Sequence, residues 1–167
     1  FCKSKSIECI SYLDFKSEKT YNELNDMKPD LFVVVAFKIL PERIINIPRY
    51  GSINIHPSLL PKYRGSSPIQ HAILNGDKKT GITIFQLNSK IDSGNVIIQK
   101  SYFINNGINF SDLYTELSKS GSILLLKAID LLDKGIAKPV SQYSLDGNLE
   151  NKEITYAKKI KTKDCLI

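Results

Sequence analysis

The stretch SINIHPSLLPKYRGSSPIQ, residues 52–70, decides how this chain is read. A short apolar strand carries Asn54 and His56. It breaks into a loop holding Pro57 and Pro61, then restarts as a helix with Ser66 or Ser67 as N-cap, Pro68 in the first turn and Gly76 as the stop. Residues two apart on a strand project from one face, so Asn54 and His56 can converge on one small volume. An Asn amide can donate to an oxygen that gains negative charge, and a His can donate there too or move protons near neutral pH. A carboxylate that holds the imidazole completes such a set, and Asp92, in the loop KIDSGNV, is the best candidate. No G-x-S-x-G elbow surrounds Ser58, so the trio suits direct transfer to an incoming nucleophile without a covalent intermediate. Each residue also has a purely structural reading: His56 as a loop hydrogen-bonder, Asn54 as a turn cap, Asp92 as an ordinary turn residue. His71, on the helix, reads as inert.

Outward from this stretch, the chain alternates strand and helix signals. Residues 18–27 read as a short helix ended near Pro29. LFVVVA, residues 31–36, is a continuous run that suits a strand buried on both faces. PERIINI, residues 41–47, opens with Pro at a first helical position. GITIFQL, residues 81–87, alternates, and NVIIQKSYFI, residues 95–104, follows across a short loop, so the two can pair as a hairpin-like unit. Residues 110–135 hold one long or two consecutive helices, with Gly121 a weak point and Gly135 a stop. The tail from Lys138 reads as a final strand and an extended segment. This order predicts an α/β, Rossmann-like, mostly parallel sheet with flanking helices, whose site lies beyond the carboxyl ends of strands. No glycine-rich strand-to-helix junction supports dinucleotide or ATP binding.

The 167 residues suffice for one domain with a core, and 42% hydrophobic with 24% charged residues is ordinary for a soluble globular protein. No apolar run approaches the roughly 20 residues that span a bilayer, so no membrane partner is expected. Cys2, Cys9 and Cys165 form no C-x-x-C pair, and with two histidines no metal site is expected; reduced thiols point to the cytoplasm. The net charge of +6 suits a polyanion such as RNA, but the lysines are scattered rather than gathered in a block. The chain begins without Met, and a piece of a longer protein is the expectation.

INIHPSLLPKYRGSSPIQHAILNGDKKTGITIFQLNSKIDSGNVI, residues 53–97, resembles the folate-dependent formyltransferases. N-x-H-x-S-L-L-P followed downstream by D-[ST]-G is a specific signature of that superfamily. RGSSPI, residues 64–69, is similar to the continuation found in its tRNA and sugar-nucleotide branches, and ITYAKKI, residues 154–160, is similar to the segment closing the tRNA branch's catalytic domain. The likeness covers residues 25–167. It implies formyl transfer from 10-formyltetrahydrofolate to the amino group of methionine on initiator methionyl-tRNA, by a monomer. An amino sugar nucleotide or glycinamide ribonucleotide as acceptor, or a folate-binding remnant without catalysis, are the alternatives. It also implies Asn54, His56 and Asp92 as the catalytic trio. Lys38, Ile39, Leu40, Ser58, Leu59, Leu60, Pro61, Leu87 and Asn88 are then the folate contacts, with Arg64 and Gly65 on the tRNA side. AFKILP, residues 36–41, is one residue shorter than the family's common A-Y-G-x-I-L-P. The family's opening strand with its G-T-P-x-F loop and its C-terminal barrel are expected outside this chain. Residues 1–152 are then a partial catalytic domain, incomplete at its N-terminus, and residues 153–167 a linker toward the barrel.

Overall fold

A computed structural model describes residues 2–37, 39–144 and 153–165. Helix α1, Glu18–Asp26, starts at Ser17, whose hydroxyl accepts the Thr20 N–H, a standard N-cap. Strand β1, Phe32–Val34, and helix α2, Glu42–Ile45, lead to strand β2, Ser52–His56. Pro41 caps α2 rather than occupying its first turn. The two-residue strand β3, Arg64–Gly65, precedes helix α3, Pro68–Leu74. Strands β4, Lys79–Gln86, and β5, Val96–Phe103, are followed by helix α4, Phe110–Asp133, and strand β6, Tyr156–Ala157.

Four strands form one sheet in the order β1-β2-β4-β5, and β3 pairs with β6 in a second, small sheet. The α/β class holds. The directions differ from the expected mostly parallel pattern: β1–β2 is parallel, whereas β2–β4 and β4–β5 are antiparallel. The short loop 87–95 accounts for the antiparallel β4–β5 pair, in line with the hairpin-like unit expected there, because a few residues can join antiparallel neighbours but cannot make a parallel crossover.

Burial also departs from expectation at one strand. β1, expected to be covered on both faces, leaves Val33 40% exposed, with Val35 beyond it at 57%, because it lies at the edge of the described sheet. β4 is buried from Thr80 to Phe85 because both of its faces are covered. On one face Ile82 and Ile84 pack with Ile53, Ile69, Leu113, Leu117, Leu124 and Ala128 beneath α4. On the other, Phe85 packs with Leu60 and Val96. α4 runs unbroken through Gly121, where a Cβ would lie 2.6 Å from Ile55 Cδ1. That glycine lets the helix sit close on β2 and is a packing position, not a break.

β6 ties the chain's end to this body. Thr155 O accepts from Arg64 N at 2.9 Å and Ala157 O accepts from Ser66 N at 2.9 Å. Gly65 is required there: its φ is +118°, and a Cβ would meet Ala157 O at 2.6 Å. Among the described residues no helix is long and apolar enough to cross a membrane.

Candidate active site

β2 splits its side chains between two environments. Ile53 and Ile55 point to the core beneath α4, while Asn54 and His56 pair in register with Phe85 and Thr83 on the opposite face. Among the described residues the Asn54 amide has no side-chain hydrogen bond, and it lines the principal cavity. It is therefore free to donate to a ligand oxygen.

His56 is 5% exposed. Its Nε2 lies 2.8 Å from Tyr63 O, and since a carbonyl only accepts, Nε2 carries the proton. Tyr63 is held in the left-handed region, φ +60°, by three contacts. Its N–H donates to Thr155 Oγ1 at 2.8 Å, its hydroxyl donates to Asp77 at 2.7 Å, and that hydroxyl accepts from Asn75 at 2.9 Å. Burial pulls the His56 pKa below its ordinary value, partly opposed by the Asp92 charge and the Tyr63 carbonyl. The resting ring is thus neutral near pH 7, with its lone pair on Nδ1, the atom 3.7 Å from Asp92 Oδ2. Proton uptake at Nδ1 makes an imidazolium directly beside a carboxylate, which is the arrangement a general base needs.

Asp92 reaches this position from the β4–β5 loop. Its backbone is at φ +45°, uncommon for a residue with a Cβ but tolerated best by Asp and Asn. Its Oδ2 accepts the Gly65 N–H at 2.7 Å, so β3 aims the carboxylate that faces His56. Gly94 closes the turn so tightly that a Cβ would overlap Gln86 O at 1.7 Å.

The loop after His56 is fastened from behind. Thr83 Oγ1 donates to Ser58 O at 2.7 Å and accepts from Leu60 N at 3.2 Å and Gln99 Nε2 at 2.7 Å. Ser58 Oγ donates to Lys62 O at 2.6 Å. Ser58, Leu59, Leu60 and Pro61, expected as ligand contacts, line no part of the principal cavity. Their apolar side chains are drawn toward β4, with Leu60 against Phe85 and Leu59 facing Gly81. S-L-L-P is here the backing of the site rather than its wall.

The cavity measures about 1080 Å³. Ile39, Leu40, Leu87 and Asn88 line it, as do Asn54, His56 and Asp92, so most of the predicted site converges on one space. Lys38 lies outside the described residues. Arg64 and Gly65 also border the cavity, but Arg64 is 4% exposed and its guanidinium is engaged by Gln142 Oε1. Val34, Ile39, Leu40 and Leu87 supply an apolar wall beside polar groups, which suits a flat heterocycle carrying hydrogen-bonding edges. Tyr63, Thr83 and Gln142 were not legible as site residues. Tyr63 and Gln142 lie in segments without periodicity, and Thr83 reads as an ordinary strand residue.

Residues 11–129 match the family model described as formyl transferase. The chain belongs to the formyl transferase family. It is 42% identical over 160 residues to a methionyl-tRNA formyltransferase of Wolbachia pipientis, covering 95% of this chain and 50% of that one. It is 40% identical to the enzyme of that name from Fusobacterium nucleatum, covering 100% of this chain and 52% of that one. The chain thus spans about half the length of the curated relatives it matches. Among solved structures, HypX from Aquifex aeolicus in complex with tetrahydrofolic acid superposes with a TM-score of 0.73 at 21% identity, over 89% of this chain and 25% of that one. A sugar N-formyltransferase from Shewanella superposes with a TM-score of 0.71 at 26% identity, over 93% and 58%. Within this formyl transferase chain, the fastened loop and the strand-borne Asn and His form one unit.

Proposed function

We propose that this chain is the catalytic core of a methionyl-tRNA formyltransferase. It moves a formyl group from 10-formyltetrahydrofolate to the methionine amino group of initiator methionyl-tRNA. The observation that carries the reading is the convergence of an unpartnered Asn54 amide, a neutral His56 and the Asp92 carboxylate on one cavity. Membership of the family and the shared name of relatives near 40% identity support the acceptor.

In this reading the amine attacks the formyl carbon, and Asn54 donates to the oxygen as it becomes negative. Nδ1 of His56 takes the proton released by the attacking amine, and Asp92 stabilises the resulting imidazolium; the oxyanion then collapses, the bond between the formyl carbon and N10 of the folate breaks, and N10 takes up that proton as tetrahydrofolate leaves. The Nε2–H bond to Tyr63 keeps the ring from rotating and leaves Nδ1 as the basic atom. Ile39, Leu40, Leu87 and Asn88 hold the folate, and Arg64 and Gly65 border the acceptor side. The protein acts as a monomer in the cytoplasm without a metal. In this reading the boundary expected after residue 152 falls later, because Tyr156 and Ala157 pair with β3 beside the site and so belong to the catalytic unit.

The test is an assay of the full gene product with 10-formyltetrahydrofolate and two acceptors, methionyl-tRNA and an amino sugar nucleotide. Formylation of the aminoacyl-tRNA is expected. Formylation of the sugar alone overturns the choice of acceptor, and transfer to neither overturns the enzymatic reading.

A further inference from the structure

Gln142 is 1% exposed and sits on the tail after α4, far along the chain from every residue assigned to the chemistry. Its amide uses its full bonding capacity. Nε2 donates to Asp92 O at 2.9 Å and to Gly94 O at 2.9 Å, and Oε1 accepts from Arg64 Nη2 at 2.7 Å and Nε at 3.2 Å. One end of this side chain therefore grips the backbone of the Asp92 turn. The other grips the side chain next to Gly65, the residue whose N–H binds the Asp92 carboxylate. The turn needs such a hold, since Asp92 has a positive φ and its loop otherwise lies on the surface. Arg64 has no carboxylate partner among the described residues, so Gln142 also satisfies a buried cation.

From this clamp we infer that Gln142 is a positioning residue for the formyl-transfer centre, fixing the Asp92 turn against β3 so that the carboxylate faces His56. The inference rests on the proposed catalytic role of Asp92. It separates from a merely structural role because a clamp acting through Asp92 loses its effect once the carboxylate is gone.

Gln142→Glu is the informative substitution. It removes both donors to the Asp92 and Gly94 carbonyls yet keeps an acceptor for Arg64. Gln142→Met, similar in volume and uncharged, is the second variant should the first fail to fold. Each is assayed in the full gene product beside Asp92→Asn and the corresponding double variant. A misplacement of the order of 1 Å predicts a fall in kcat of about 100-fold, with KM for both substrates moved less than about threefold. In the double variant the losses are expected not to add, leaving it within about threefold of Asp92→Asn alone. Full kcat in a folded Gln142 variant overturns the inference, as do losses that multiply in the double variant. Near-normal turnover in Asp92→Asn overturns instead the catalytic reading on which the inference stands.

Discussion

The two faces of β2 are built on different principles. Beneath α4, Ile53 and Ile55 are held by many weak apolar contacts, and Gly121 lets the helix approach closely enough to make them. Such packing tolerates the loss of one partner at a graded cost. On the other face Asn54 and His56 sit over a polar scaffold in which few bonds each fix one atom: Tyr63 O on Nε2, Gly65 N on Asp92, Thr83 on the following loop. Removing one such bond changes which atom is basic or where a charge lies, with little change in buried area. This one strand couples the two faces, because any shift of Ile55 displaces Asn54 and His56 on either side of it.

The largest effects are expected on the polar face. His56→Ala should lower turnover about 10²–10⁴-fold, the range of a lost general base. Asn54→Ala should lower it about 10²–10³-fold, as loss of an oxyanion donor does. Both are read from steady-state rates on protein whose circular dichroism is unchanged. Near-normal rates in either would return that residue to a structural role and erase the contrast between the faces.

Next comes the apolar face. Leu113→Ala should cost about 2–5 kcal/mol of stability in denaturant unfolding, while kcat per folded molecule stays near wild type, since Leu113 of α4 is fully buried and does not border the cavity. A matching loss of kcat would mean the core under α4 tunes the site directly. Gly121→Val tests the coupling through Ile55. Overpacking should cost about 1–3 kcal/mol and, unlike Leu113→Ala, also depress kcat, because the clash is transmitted to β2. If Gly121→Val is destabilised with kcat intact, the two faces are mechanically independent.

The smallest effect is in pH. His56 in the folded protein has a pKa lowered by burial, so just below the ordinary His range the unfolded chain binds more protons than the folded one. Stability therefore rises with pH across that window and is lost on acidification through it. Between about pH 7.5 and 5.5 the unfolding free energy should fall less steeply in His56→Gln than in wild type. Equal slopes would indicate a His56 that stays exchangeable with solvent.

Much of the site was legible from pairs of residues whose spacing carries geometry. Asn54 and His56, two apart on a strand, share a face by backbone pleat alone, and the Pro-interrupted loop marks where that strand ends. Asp92 was legible only as a candidate, because nothing local states that its turn folds back over β3. Strand burial is less legible in sequence, for a reason visible in β1. The run LFVVVA describes what a strand can tolerate, and GITIFQL describes an alternation, but exposure depends on which neighbours arrive at each face. Likewise Leu59 and Leu60 belong to the signature, yet their side chains face β4 rather than the cavity.

The family, the α/β class, the order of the helices and of the longer strands, and Asn54, His56 and Asp92 as candidates are all legible in the sequence, whereas the short β3 falls in a stretch that reads as loop. The legible features follow from local periodicity, turn chemistry and a specific motif. The sheet's mixed direction, the proton's place on Nε2 of His56, the burial of Arg64 and the hydrogen bonds of Gln142 emerge from the folded arrangement alone. Each of those depends on atoms brought together from distant parts of the chain, where hydrogen-bond direction and desolvation act over a few ångströms and leave no trace in sequence spacing.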